Sequence, residues 1–239
     1  MDSSRLLVYL VFATSAVAAP LRAQVSNADR RATVAVLYFT NSALVRHDEY
    51  EPLSKGITDM LITELAGSPS LQVVERDRLQ ALLREQDLAQ SSRVDQETAV
   101  RLGKILGVRH LLTGAFLIDR GERMRLDLRA VDVETSKVEY VETVSGKADD
   151  VLELISKLGA KVNQKLQLPP IASQVSPAGT RTSKRDQLRA VMLLSRALEE
   201  NDKGNVTGAM ALYRQALDVY PDYQRAKVLL ASLETPRKP

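Results

Sequence analysis

Hydrophobic positions first form a regular pattern at Ala32–Phe39, an almost unbroken apolar run. Such a run suits a strand covered on both faces. Pro52 fits a first helical turn, and Leu53, Ile57, Met60, Leu61 and Leu65 recur at the spacing of one buried helical stripe. Gly67-Ser68-Pro69 stops that helix. Leu71–Val74 reads as a second strand, and the helical crossover between the two favours parallel pairing.

The next stretch predicts two helices and a strand. Leu79, Leu82, Leu83 and Gln86 share one helical face, and the polar break Ser91-Ser92-Arg93 ends it. Asp95 is placed to cap a second helix carrying Ala99, Leu102, Gly103 and Leu106 on one face. Gly107 fits the left-handed stop after it. A meander follows. A buried strand ends at Ile118, and Asp119-Arg120-Gly121-Glu122 is a turn. Met124, Leu126 and Leu128 alternate with Arg125, Asp127 and Arg129, the pattern of a half-exposed strand. Glu134-Thr135-Ser136-Lys137 turns into a last strand, Val138–Val144, and a helix from about Asp149 to Leu166 closes the domain. The expected fold is α/β, a mixed sheet flanked by helices in the order β-α-β-α-α-β-β-β-α.

Residues 167–184 read as a linker, because Pro169, Pro170, Pro177 and Gly179 oppose regular structure. From 185 to 234 the pattern is helical. Ala197, Gly204, Ala209, Tyr213, Ala216 and Pro221 stand where a tetratricopeptide repeat places small, small, small, aromatic, small and proline residues. Any helical hairpin rich in alanine is the plainer alternative. One repeat seldom stands alone, so this tail must dock on the first domain, pair with another copy or be marginal in stability.

The segment VVERDRLQALLREQDLAQSSRVDQETAVRLGKILGVRHLLTG resembles the signature of the CsgG/HfaB family, named for a curli secretion component. The matching elements are the strand ending in Glu75-Arg76, the Leu79–Leu83 helix with Glu85-Gln86, and the spacing Gly103, Gly107, Thr113-Gly114. VAVLYFTN at Val34–Asn41, GITDML at Gly56–Leu61 and LDLRAVDVET at Leu126–Thr135 resemble the family's opening strand, its first helix and its last hairpin. The likeness runs over about 32–166. It implies a protein of a Gram-negative-type cell envelope. Some relatives form a ring-shaped secretion channel, and others act as accessory factors.

The first residues carry an address rather than a fold. Arg5 precedes the apolar run Leu6–Ala19, and small residues offer cleavage after Ala18 or Ala23, so residues 1–23 read as a secretory signal peptide. An uncleaved anchor is the other reading, although the run is short for a span. The 239-residue chain has no cysteine, hence no disulfide and no lipid-attachment site of the curli lipoprotein type. Thirty-three basic and 30 acidic residues nearly cancel, and aromatics make up 4%. Neither a basic patch nor a base-stacking surface is indicated, so nucleic acid is not an expected partner.

Little in the chain suggests chemistry. His47-Asp48-Glu49 reads as a solvated loop rather than a metal site, and His110 as a structural residue. No nucleophile elbow or phosphate loop occurs. No catalytic, cofactor or metal residues are expected. The candidate interface is the charged set Glu75, Arg76, Arg78 and Glu85, which is either a solvated ion-pair face or a subunit contact. The reading expected is a non-enzymatic periplasmic envelope scaffold with a partner-binding, tetratricopeptide-like tail. Its expected partners are envelope proteins, with self-association and indirect outer-membrane attachment left open. The alternative is an oligomeric, outer-membrane-associated channel component. That would need membrane hairpins with strands of about 9–11 residues, for which the two predicted turns leave no room.

Overall fold

A computed structural model describes residues 31–86, 95–176 and 181–235. The leader 1–23, the break at 91–93, and Pro177 and Gly179 lie outside them. The sheet runs β3-β1-β4-β5-β6, with a short β2 beside β4. Its strands are β1 (Ala32–Val36), β2 (Thr40–Asn41), β3 (Leu71–Val73), β4 (His110–Ile118), β5 (Arg123–Asp132) and β6 (Lys137–Lys147). β3, β1 and β4 are parallel, because helices connect them: α2 (Leu53–Ala66), then α3 (Arg76–Glu85) and α4 (Gln96–Leu106). β4, β5 and β6 are antiparallel, joined by four-residue turns at 119–122 and 133–136. The single-turn α1 (His47–Tyr50) precedes α2. A 3-10 turn, Ala148–Asp150, leads into α5 (Val151–Lys165).

The two faces of the sheet bury different sets of residues. Val34, Val36, Leu112, Phe116, Leu126 and Val144 point towards α2 and α5. Ala35, Leu37 and Leu111 point towards α3 and α4. This two-sided burial explains the near-continuous apolar reading of β1 and the start of β4. The α2 stripe is fully buried, as is the core face of α4. Asp95 caps α4 by accepting from the Thr98 amide at 2.8 Å, and Gly107 ends it at φ 70°.

One expected element is divided. The run 32–39 does not form a single strand. The chain takes four steps from Val36 to Thr40 while β4 takes three from Leu112 to Ala115, so an extra residue bulges out. Side chains of α2 satisfy the displaced backbone: the Phe39 amide donates to Thr58 Oγ1 at 3.2 Å, and Ser54 Oγ donates to the Phe39 carbonyl. The bulge drives the Phe39 ring over Gly114, where a Cβ would stand 2.5 Å from the ring. A glycine is therefore required at that point of β4.

The tail forms α6 (Lys184–Asp202), α7 (Val206–Val219) and α8 (Gln224–Glu234). Leu194, Leu198, Tyr213, Tyr220 and Tyr223 join the same hydrophobic cluster as α2 and α5. α6 lies so close to α2 that a Cβ on Gly56 would overlap Ser195. Residues 167–176 have no regular structure, yet they are fastened to the domain. Buried Glu64 accepts through Oε2 from the amides of Gln174 (2.8 Å) and Val175 (3.1 Å) and from Ser173 Oγ (3.1 Å). Its Oε1 accepts from Ser156 Oγ at 3.1 Å.

Candidate functional site

The charged residues singled out in the sequence separate when the chain folds. Glu75 is the exposed N-cap residue of α3, and Arg78 and Glu85 are exposed as well. Arg78 Nη2 donates to the Leu106 carbonyl at 3.3 Å. Arg76 turns inward and is only 3% exposed. The first residue of α3, anchored by the short β3, can reach back under α2 and across to the tail.

A buried ion network forms there. Arg76 Nη1 donates to both carboxylate oxygens of Asp202, at 3.0 Å each, and to Tyr38 Oη at 3.3 Å. Arg76 Nε lies 3.8 Å from Asp59 Oδ1. Lys55 Nζ donates to Asp202 Oδ2 at 2.7 Å, and Arg84 Nη2 donates to the Asp202 carbonyl. Asp59, fully buried on α2, receives a two-pronged contact from Arg225 of α8, Nε to Oδ2 at 2.7 Å and Nη2 to Oδ1 at 2.5 Å. Beside it, Tyr223 Oη donates to Met60 Sδ at 3.1 Å. Three cations thus surround two carboxylates, with α2 and α3 on one side and α6 and α8 on the other.

Burial works against the charge on Arg76, but the Asp202 and Asp59 carboxylates outweigh it and hold the guanidinium firmly protonated. The same holds for Arg225, where burial is outweighed by Asp59. Burial pushes the Tyr38 hydroxyl well above its ordinary value, so it stays a neutral donor, and it donates to Gln80 Oε1. The network joins the two sets of helices through charge-assisted hydrogen bonds. Among the described residues, no cluster of three or more His, Asp or Glu side chains could hold a metal ion.

The tail residues marked in the sequence take packing positions. Ala197, Ala209, Tyr213 and Ala216 are buried, Gly204 makes the α6–α7 turn at φ 84°, and exposed Pro221 follows α7. Tyr220 and Tyr223 stack at 5.2 Å across that corner. α2 touches both α6, through Gly56 and Ser195, and α8, through Asp59 and Arg225.

Asp59, Glu64, Asp202 and Arg225 were not singled out from the sequence. Two of them carried a signal. Asp59 and Glu64 are acids set within the apolar helix LSKGITDMLITELA, where a charge without a partner is costly.

Residues 16–117 match the family model described as Curli production assembly/transport component CsgG. The CsgG-like stretch therefore ends within β4 and contains Lys55, Asp59 and Arg76, while Asp202 and Arg225 lie beyond it. No curated protein matches the chain. Similar solved structures include the LpoB C-terminal domain from Salmonella enterica, with 15% identity, TM-score 0.40, and 49% of this chain and 83% of that chain covered. The PelC dodecamer from Paraburkholderia phytofirmans is 17% identical, with TM-score 0.37 and coverage of 60% and 93%. TolB from Acinetobacter baumannii is 13% identical, with TM-score 0.36 and coverage of 59% and 28%. Among the described residues, no helix is long and apolar enough to cross a membrane.

Proposed function

We propose that the chain is a non-enzymatic interaction and assembly protein of the cell envelope, exported to the periplasm by its N-terminal leader. The observation that carries this reading is the CsgG-like match over residues 16–117. Outer-membrane association, where it occurs, comes through partners. The tetratricopeptide-like tail serves as a splint on the CsgG-like domain, because α2 already touches the sides of α6 and α8 turned towards it. Four-residue connections after β4 and β5 support a scaffold over a channel, which needs spanning strands of about 9–11 residues within the domain.

Export is tested by producing the full chain with a C-terminal tag in a Gram-negative host and fractionating the cells. Release by osmotic shock at the mass of a chain lacking its leader is expected. Retention in the cytoplasm at full mass refutes the periplasmic assignment.

A further inference from the structure

β6 is the longest strand of the sheet, eleven residues, and stands last in the strand order. β5 pairs with one side of it. Among the described residues, nothing hydrogen-bonds to its backbone on the other side. The opposite edge of the sheet is the three-residue β3, too short to template much pairing. β6 is long enough to accept another strand.

The surroundings of this edge select what can pair with it. On the core face α5 lies over β6, and Lys161 and Lys165 both reach Glu142, at 2.7 and 3.4 Å. Two ammonium groups share one carboxylate, which leaves positive charge above the edge. Lys137 and Lys147 stand at the two ends of the strand, while Lys157, one turn back on α5, is already paired with Glu153 at 2.8 Å. On the other face Val141 is 56% exposed. Glu139 is the extra residue of a bulge, since Tyr140 pairs with Ala130 and Val138 with Val131. The bulge turns Val138, 41% exposed, to the same face as Val141.

A second copy fits this edge poorly. Pairing β6 with itself would set two α5 helices, each about 10 Å across, over strands about 4.8 Å apart. It would also bring two lysine pairs together. An extended chain with no helix above it meets neither obstacle. We infer that the β6 edge takes up an extended acidic segment of a partner protein as an added strand, acids towards the α5 lysines and β-branched residues towards Val141 and Val138. Main-chain hydrogen bonds supply affinity in this mode, and the alternating side chains supply selectivity. The inference stands on the sheet alone, not on the cellular address proposed above.

The test uses the full chain and two capped nine-residue peptides, one alternating Glu and Val and the other alternating Lys and Val. The expected result is that the acidic peptide slows amide exchange along 137–147 and shifts those resonances, while the lysine peptide does not. Lys161→Glu with Lys165→Glu alters two exposed side chains but brings three carboxylates together at Glu142, so a retained cooperative melt is measured alongside binding. The double variant should weaken the acidic peptide about tenfold, the size of two solvent-facing charge contacts, and improve the lysine peptide. Absence of binding at millimolar acidic peptide, binding away from β6, or indifference to the charge reversal each overturns the inference.

Discussion

Asp202→Asn probes the junction with almost no change of shape. Asp202 accepts two contacts from Arg76 and one from Lys55, and its side chain is 6% exposed. The amide removes the negative charge and can turn a donor towards Arg76. Arg76 would then keep the solvent-facing Asp77 carboxylate, at 3.3 Å, and Asp59, whose carboxylate is already occupied by Arg225. Breaking a buried pair from one side costs about 3–5 kcal/mol, because the remaining charge stays buried and uncompensated. For a chain of this size each kcal/mol moves Tm by about 2–4 °C, so a fall of roughly 6–20 °C is expected. Urea unfolding is the direct assay, with the midpoint falling and the slope unchanged.

A double-mutant cycle separates this loss from simple crowding. Arg76→Met removes the cation and fills part of its volume. If the pair acts as a unit, the double variant should lose clearly less than the sum of the singles, with a coupling of about 1–3 kcal/mol. Amide exchange should quicken first in α6 and α8, the elements that the network ties down. A loss below about 1 kcal/mol for Asp202→Asn, or additive losses in the cycle, would refute the view that these charges hold the tail.

Other outcomes are expected from the same structure. Leu82→Asp places a charge in the α3 face and should unfold the domain, seen as loss of a cooperative melt; an unchanged melt would show that this face is not buried as described. Gly114→Ala forces a Cβ to 2.5 Å from the Phe39 ring and 2.7 Å from the Asp127 carbonyl, and should cost about 1–3 kcal/mol in urea unfolding. Glu64→Gln should accelerate amide exchange at Gln174 and Val175 while the sheet amides hold. Lysines 157 and 184 hold the Glu153 carboxyl at about 2, below its ordinary 4.5. A depressed folded value contributes stability above 4.5 that is lost as pH falls towards 2, so Glu153→Gln should flatten acid unfolding across that window. The effect is small, because the pair faces solvent.

The strands and helices were readable because each carries its own period within ten or so residues. α2, α4 and the alternation of β5 declare themselves through side chains that share a face. The interruption of β1 did not, since the bulge at 37–39 depends on Ser54 and Thr58 of a later helix. Arg76 stood out as a charged step after a strand, but its role could not be read there. Its main partner lies 126 positions further on, and that of Asp59 lies 166 positions on. Local pattern reports which face is apolar. It does not report which two distant charges will be buried together. The prolines at 169 and 170 mark 167–176 as irregular, but nothing near them announces the acid that fastens the stretch, which sits in a helix about a hundred residues earlier.

The Glu64 clasp shortens the tether of the tail. It moves a tie to the domain from the end of α5 at Lys165 to Val175, which roughly halves the number of positions up to the start of α6 at Lys184. Loop-closure entropy changes by about 0.6 kcal/mol for each twofold change in length, and this is roughly one such step. The local concentration of α6 near α2 rises accordingly, so a tail that comes loose meets its own domain again before it meets another molecule. A hydrogen-bonded carboxylate remote from the junction thereby biases the tail towards its own chain.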